Sequence, residues 1–359
     1  MSRTIAGFRK MRHCSVVFFL LLALLPAAAP AERPALGHKL ALFGRGLMQM
    51  VLSTEGHAAR RLDCEPDPSL LQGWATEHRT VVFVRHGEST WNEMFNRGRG
   101  LQRFLWMPLR LARGLAREAA SIMSTESTFI DSPLSPRGIQ QAGEIRKALR
   151  SNDDGHALLA EALAVSANVT SVLVASNLRR AVETGTLALA DRLAKTGEQM
   201  FIRSELQEIS RNLDAVSLAP PLSYPTAPRD AVATALHDAD LVFDSLYCAD
   251  GNRGNKAVLG HQRERLARFA DFCFGESKVG GLESLQQNNG AVIVAVGHSL
   301  WFKTFFRMYI DRAVQHELKE RKISNSGVVS FTLERGVVGG RMLYRILPHS
   351  IHILHGQFV

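Results

Sequence analysis

The chain reads as an α/β protein: a doubly wound, mostly parallel sheet flanked by helices, with helical and loop insertions capping the site. Three observations predict this class. Thr80–Val84, Ser171–Ala175 and Ala291–Val296 are valine-rich and apolar along nearly their whole length, as strands covered on both faces of a parallel sheet are. Helical patterns fall between these runs, the alternation that builds a doubly wound sheet. Each run is also followed within four residues by histidine, arginine or both, and ligands of open parallel sheets bind at the carboxyl ends of the strands.

Taken in order, residues 1–31 form a leader. Arg3, Arg9, Lys10 and Arg12 come without an acid, Val16 to Leu25 is almost wholly apolar, and Ala29-Pro30-Ala31 supplies a small-residue step. This describes a secretory signal peptide and predicts the secretory pathway or secretion; a membrane anchor and an organelle leader are the alternatives. Residues 32–79 follow as an N-terminal extension, and 80–359 as the main domain, with inserts at about 93–130 and 219–254. Between Glu93 and Arg117, six arginines (Arg97, Arg99, Arg103, Arg110, Arg113, Arg117) face one acid, Glu93, and Leu101, Phe104, Leu105, Leu109, Ala112, Leu115 and Ala116 recur at helical spacing. Such a helix suits an anionic membrane surface. Packing on the domain with a solvated arginine face is the favoured reading, because Pro108 and Gly114 interrupt the pattern.

Ser135-Pro136 gives an N-cap and first turn, with Ile139, Ala142, Ile145 and Leu149 marking one helix face. Further helices are expected over Arg179–Lys195, His261–Phe274 and Leu300–Tyr309, a short strand over Met200–Ile202, and late strands over Val328–Leu333 and Met342–Leu347. Ala219–Gly254, with its prolines and mixed polarity, reads as a cap over the site.

Arg85-His86-Gly87-Glu88-Ser89-Thr90-Trp91-Asn92 follows the first buried strand, Ser176-Asn177-Leu178-Arg179-Arg180-Ala181 the second and Gly297-His298-Ser299 the third. The topology thus gathers two histidines and at least two arginines at one sheet edge. Arginine forks bind phosphate oxygens in pairs and offset charge spreading over them. A neutral imidazole is a capable nucleophile toward phosphorus, and Gly87 lets the backbone turn close to a phosphate.

These segments resemble the histidine phosphatase superfamily, the phosphoglycerate-mutase-like clan, over roughly Thr80 to Leu333. Val81-Val82-Phe83-Val84-Arg85-His86-Gly87-Glu88-Ser89 matches its signature almost letter for letter, through Trp91-Asn92. Asp131-Ser132-Pro133-Leu134-Ser135, leading to Gly138 and Gln141-Ala142, looks like the element that follows. The resemblance implies His86 as the nucleophile that becomes phosphohistidine, with Arg85, Arg180 and His298 completing a phosphate pocket and Asn92 assisting in substrate binding. Arg180 is chosen over Arg179 because it directly precedes Ala181. Glu208 is the implied general acid, with Glu205 a competitor. Neither a metal nor a cofactor is expected; His349, His352 and His355 have no neighbouring carboxylate or thiol and read as ordinary surface or packing residues.

The sequence departs from the mutases of the clan. Their substrate-binding stretch after Trp-Asn is missing, and the arginine-rich insert stands in its place. Ser299-Leu300-Trp301-Phe302 reads as a bulky apolar rim that a small diacid would gain little from. The expected activity is therefore a metal-independent phosphomonoesterase. A phosphoglycerate-type mutase, and a catalytically lapsed binding protein that uses the basic insert, are the alternatives.

Composition narrows the remaining classes. The 359 residues are 46% hydrophobic and 21% charged, enough to build a full core and unlike a disordered chain or a rod. The net charge of +9 comes with no nucleic-acid recognition motif, so nucleic acid is not an expected partner. With the leader removed, Cys64, Cys248 and Cys273 remain and are read as unpaired thiols, with a single disulfide as the alternative. Asn168-Val169-Thr170 is a glycosylation sequon that matters only in the secretory path.

Overall fold

A computed structural model describes residues 33–55, 70, 76–98, 100–151, 157–163, 171–225, 230–239, 241–275 and 291–359. The leader, Cys64 and the sequon at Asn168 lie outside the described residues.

The chain begins with α1 (Arg33–Leu52), followed by β1 (Thr76–Arg85), α2 (Thr90–Phe95), α3 (Gly100–Ala120), α4 (Pro136–Arg150) and α5 (Ala157–Leu163). Next come β2 (Ser171–Ser176), α6 (Arg179–Ala188), α7 (Ala190–Thr196), β3 (Met200–Arg203), α8 (Asp230–Ala235) and β4 (Tyr247–Cys248). The last part holds α9 (Gln262–Cys273), β5 (Val292–Gly297), α10 (Ser299–Tyr309), α11 (Glu317–Glu320), β6 (Val328–Val338), β7 (Arg341–Ile346) and β8 (His352–His355).

Eight strands form one mixed sheet in the order β4-β3-β2-β5-β1-β6-β7, with β8 also paired to β6. From β4 to β1 all neighbours are parallel; β6, β7 and β8 are antiparallel. The continuous apolar runs are explained by helices on both faces. Val81, Phe83, Val172, Val174, Ile293 and Ala295 pack on one face with the aromatic residues of α9 and α10. Their sequence neighbours Val82, Val84, Leu173, Ala175, Val294 and Val296 pack on the other with α4, α5, α6 and α7. The two-residue period of a strand sends alternate side chains to opposite layers, and here both layers are core.

Several boundaries differ from the sequence reading. β1 starts at Thr76, inside the expected extension, because Thr76 to Arg79 pair with Gly336 to Leu333. The single helix expected over Arg179–Lys195 is two, α6 and α7, meeting at Leu189. Part of the Ala219–Gly254 excursion joins the sheet, as edge strand β4. The arginine-rich helix runs unbroken through Pro108 and Gly114. A Cβ on Gly114 would meet Met94 Sδ, so a larger residue there would oblige the Met94 side chain to shift.

Candidate active site

Strand register assembles the site. Arg85 pairs with Gly297 at the carboxyl ends of β1 and β5, so the next residues, His86 and His298, leave adjacent strands side by side. Their ring centroids are 5.0 Å apart. Backbone bonds lock the turn: His86 N donates to Gly297 O at 3.0 Å and Arg85 N to Gly327 O at 2.9 Å. β2 ends at Ser176, and α6 starts three residues later with Arg179 and Arg180.

His86 is held in one tautomer. Its Nδ1 lies 2.6 Å from Gly87 O, an acceptor only, so Nδ1 carries the proton. Nε2 is then the lone-pair nitrogen, and Arg180 Nε donates to it at 3.3 Å. Arg180 is anchored in turn by Asp214, whose carbonyl accepts from NH1 at 2.6 Å and whose carboxylate lies 3.5 Å from NH2. His298 Nε2 lies 2.8 Å from Ser176 Oγ. With the hydroxyl donating, the proton of His298 sits on Nδ1, which is buried without a hydrogen-bond partner among the described residues. Burial first, then the charges of Arg180 and Arg85, hold the His86 pKa well below the usual histidine value; burial and Arg180 do the same to His298. Both imidazoles are therefore neutral at neutral pH. Arg85 donates to Ile323 O and keeps a buried, unpartnered Nε. Burial lowers it to about 10, against the pull of Glu208, so it stays charged.

The two candidate acids separate. Glu208 Oε1 accepts from Ile209 N at 2.9 Å and from Trp301 N, in the first turn of α10, at 3.1 Å, and its charge is felt at Arg85. Glu205 pairs instead with Arg203 at 3.2 Å, and that guanidinium lies over the Phe272 ring in the core layer behind the sheet. Asn92 Oδ1 accepts from Asn96 Nδ2 at 2.8 Å along α2. The backbone N–H of Arg179 donates to Asp131 Oδ1 at 2.6 Å, and among the described residues no nitrogen of its buried guanidinium has a hydrogen-bond partner.

Two expectations change. Trp301 and Phe302 are no rim; both are fully buried, stacked on Phe83. The first turn of α10 points them back into the aromatic layer, so they give no reason to favour hydrolysis over transfer. Gly87 serves close packing: a Cβ on it would lie 2.5 Å from Gly138 O, and one on Gly138 would lie 2.1 Å from Glu88 O.

Several residues went unread in the sequence. Asp214 is buried, with Oδ1 unpartnered; burial pushes its pKa up to about 6 against the pull of Arg180. Glu55, in the expected extension, pairs with both Lys256 and Arg265, and no local pattern connects segments so far apart. Among the described residues, no group of three histidines, cysteines or carboxylates is close enough to hold a metal ion. His352 and His355 lie in β8, paired to β6. Cys248 and Cys273 are free thiols.

No family model and no curated protein matches this chain. Solved structures do. A mycobacterial glucosyl-3-phosphoglycerate phosphatase in complex with VO3 matches at 15% identity and TM-score 0.35, over 75% of this chain and 97% of that one. A phosphoglycerate mutase from Bacillus anthracis str. Sterne matches at 14% and 0.35, over 76% and 93%. An ecdysone phosphate phosphatase from Bombix mori, in complex with tungstate, matches at 16% and 0.35, over 70% and 88%. At these scores the likeness adds no weight to the geometry of the pocket.

Proposed function

We propose that this chain, whose motifs resemble those of the histidine phosphatase superfamily, hydrolyses a phosphate monoester through a phosphohistidine on His86. The observation that carries this reading is the tautomer lock: Gly87 O accepts a hydrogen bond from His86 Nδ1–H, leaving the Nε2 lone pair beside the Arg180 guanidinium. A nucleophile, its cationic neighbour and a second imidazole with an unpartnered nitrogen converge at one strand edge.

In the proposed reaction Nε2 attacks phosphorus, an N–P bond forms and the ester P–O bond breaks. Its electron pair leaves on the alkoxide, which takes a proton from Glu208. Arg85, Arg180 and His298 offset the charge on the equatorial oxygens. Water then attacks the phosphohistidine, gives its proton to Glu208 and returns the lone pair to Nε2. With two guanidiniums at the phosphate, this scheme requires no metal ion, so full activity in excess chelator is expected. Asn92 Oδ1 is taken by Asn96, so any assistance to the phosphate would come from the Asn92 Nδ2 donor, and the residue is proposed as a peripheral contact.

The test is an alkaline rapid quench of the purified protein with an aryl phosphate and, separately, with 3-phosphoglycerate. Alkali-stable, acid-labile phosphoprotein that turns over to inorganic phosphate, and is absent in His86→Ala, supports the reading. Transfer between the hydroxyls of phosphoglycerate without phosphate release would make the chain a mutase. No phosphoenzyme and no release with any ester would leave it a binding protein.

A further inference from the structure

The arginine-rich helix lies on the domain with its apolar stripe turned outward. Its inner side, through Leu111, Gly114, Leu115 and Glu118, meets Met94, Phe129 and Lys39. Leu105 and Leu109 are 65% and 43% exposed, and Phe104 and Trp106 beside them are more than half exposed. Leu105, Leu109, Ala112 and Ala116 recur at i, i+4, i+7 and i+11, which is one face of a helix. The expected arrangement, apolar side in and arginines out, holds only for part of the arginines. Arg97 pairs inward with Glu88 and Glu93, and Arg110 donates to the carbonyls of Arg97 and Glu93. Arg113 and Arg117 are exposed, one turn apart on the flank of the apolar stripe, with no ion-pair partner among the described residues.

α1 repeats the pattern. Lys39, Leu42, Phe43, Gly46 and Gln49 face the domain. Leu40, Leu47, Met48, Val51 and Leu52 form an exposed stripe on the other side. Both helices pack on one small core, and Lys39 of α1 bonds to Ser121 O and pairs with Glu118 at the end of α3. Two neighbouring helices with uncovered apolar stripes are unusual for a surface bathed in water.

We infer that the outer surface of α1 and α3 docks the protein on an anionic lipid bilayer, with Leu105, Trp106 and Leu109 entering the headgroup boundary and Arg113 and Arg117 contacting lipid phosphates. Charge complementarity selects this occupant. The exposed charges flanking the α3 stripe are arginines, and a bilayer rich in acidic lipid offers the matching sign along the whole helix. Tryptophan beside leucine and arginine on one face suits an interfacial helix lying in the membrane plane. Neither helix is long and apolar enough to cross a bilayer, so attachment is to the surface.

The experiment uses the full chain and sedimentation with phosphatidylcholine vesicles, with and without phosphatidylserine. Binding should require phosphatidylserine and weaken as salt rises. Leu105→Ser/Leu109→Ser and Arg113→Glu/Arg117→Glu should each lower partitioning about tenfold or more, with circular dichroism and melting temperature unchanged. A parallel variant with Arg3, Arg9, Lys10 and Arg12 changed to Gln keeps both helices intact and should retain most of the binding. Equal binding to neutral vesicles, or loss in the leader variant with none in the helix variants, would overturn the inference. So would absence of vesicle binding in a wild-type chain that self-associates by light scattering while Leu105→Ser/Leu109→Ser stays monomeric; the surface would then be an interface between copies.

Discussion

Lys256 and Glu55, 201 residues apart in sequence, form a buried ion pair beneath the loop that carries Glu208. Lys256 Nζ also donates to the carbonyls of Glu208 and Ser210, at 2.5 and 2.7 Å. Arg265 bonds at 2.5 Å to both Glu55 and Gln207 O, and Gln49 Nε2 reaches Ser210 O at 3.0 Å. The segment around α1 thus clamps the acid loop from outside.

Removing the carboxylate leaves two buried cations uncompensated. Glu55→Gln is expected to cost about 3–5 kcal/mol, the usual penalty for breaking one side of a buried pair. Glu55→Gln/Lys256→Met should recover part of that loss. Urea unfolding of the three proteins measures it; a loss under about 1 kcal/mol in Glu55→Gln would mean that the clamp contributes little.

The contact between Gly87 and Gly138 joins the signature loop to the first turn of α4. An alanine at either position must push backbone against backbone, because the atoms met are Gly138 O and Glu88 O. Gly138→Ala is expected to destabilise the fold by roughly 1–3 kcal/mol, the cost of overpacking a tight site. It should also lower kcat by displacing His86, whose Nδ1 bond depends on the Gly87 carbonyl. Thermal unfolding together with steady-state rates on an aryl phosphate checks both; a stable variant of unchanged rate would show that the loop adapts.

The parts of this arrangement legible in the sequence are those written locally. A strand covered on both faces must be apolar throughout, so the central strands stood out, and His86 and His298, which follow two of them, lie side by side. β4 has two residues and no apolar run, so only its partner β3 defines it. Asp214 looks like any loop acid until Arg180 folds against it. Glu55 and Lys256 acquire their meaning from a docking between distant segments. The exposed stripe of α3 was visible as a stripe, but which side faces the domain depends on Met94 and Phe129, which no periodicity in α3 encodes.

Asp214 gives stability a pH signature. Its folded pKa, about 6, is above the 3.8 of the free side chain, so between these values the folded state holds the proton more tightly. The stabilisation is fully present below about 3.8 and is lost as pH rises through about 6; the shift corresponds to about 3 kcal/mol. His86 and His298 act oppositely: their lowered values give stability that is present above about 6.5 and lost as pH falls through their folded pKa. The difference between Asp214→Asn and the parent isolates the first effect. Relative stability should move toward the variant by roughly 2–3 kcal/mol from about pH 4 to pH 7.5. A difference that stays flat over that range would mean that Asp214 titrates normally.

The proposed proton donor, Glu208, differs from its competitors in what it touches. Glu208 has one oxygen held by two backbone N–H groups and its second oxygen without a hydrogen bond among the described residues; Asp214 is bound to Arg180, the arginine beside His86; Glu205 is tied to Arg203. A donor matters most when the leaving alkoxide is basic, so its loss should slow alkyl phosphates far more than aryl phosphates. Glu208→Gln is expected to lower kcat/KM for an alkyl phosphate by about 10²–10⁴-fold and for an aryl phosphate much less, with phosphohistidine accumulating because the water step also lacks its base. Asp214→Asn should weaken both substrates alike, since it acts through the placement of Arg180. Glu205→Gln should affect stability and leave the ratio of the two rates unchanged. Rapid-quench rates for the two substrate types on all three variants decide the matter. A large differential loss in Asp214→Asn with none in Glu208→Gln would move the donor to Asp214, whose raised pKa already keeps it protonated in mildly acidic solution.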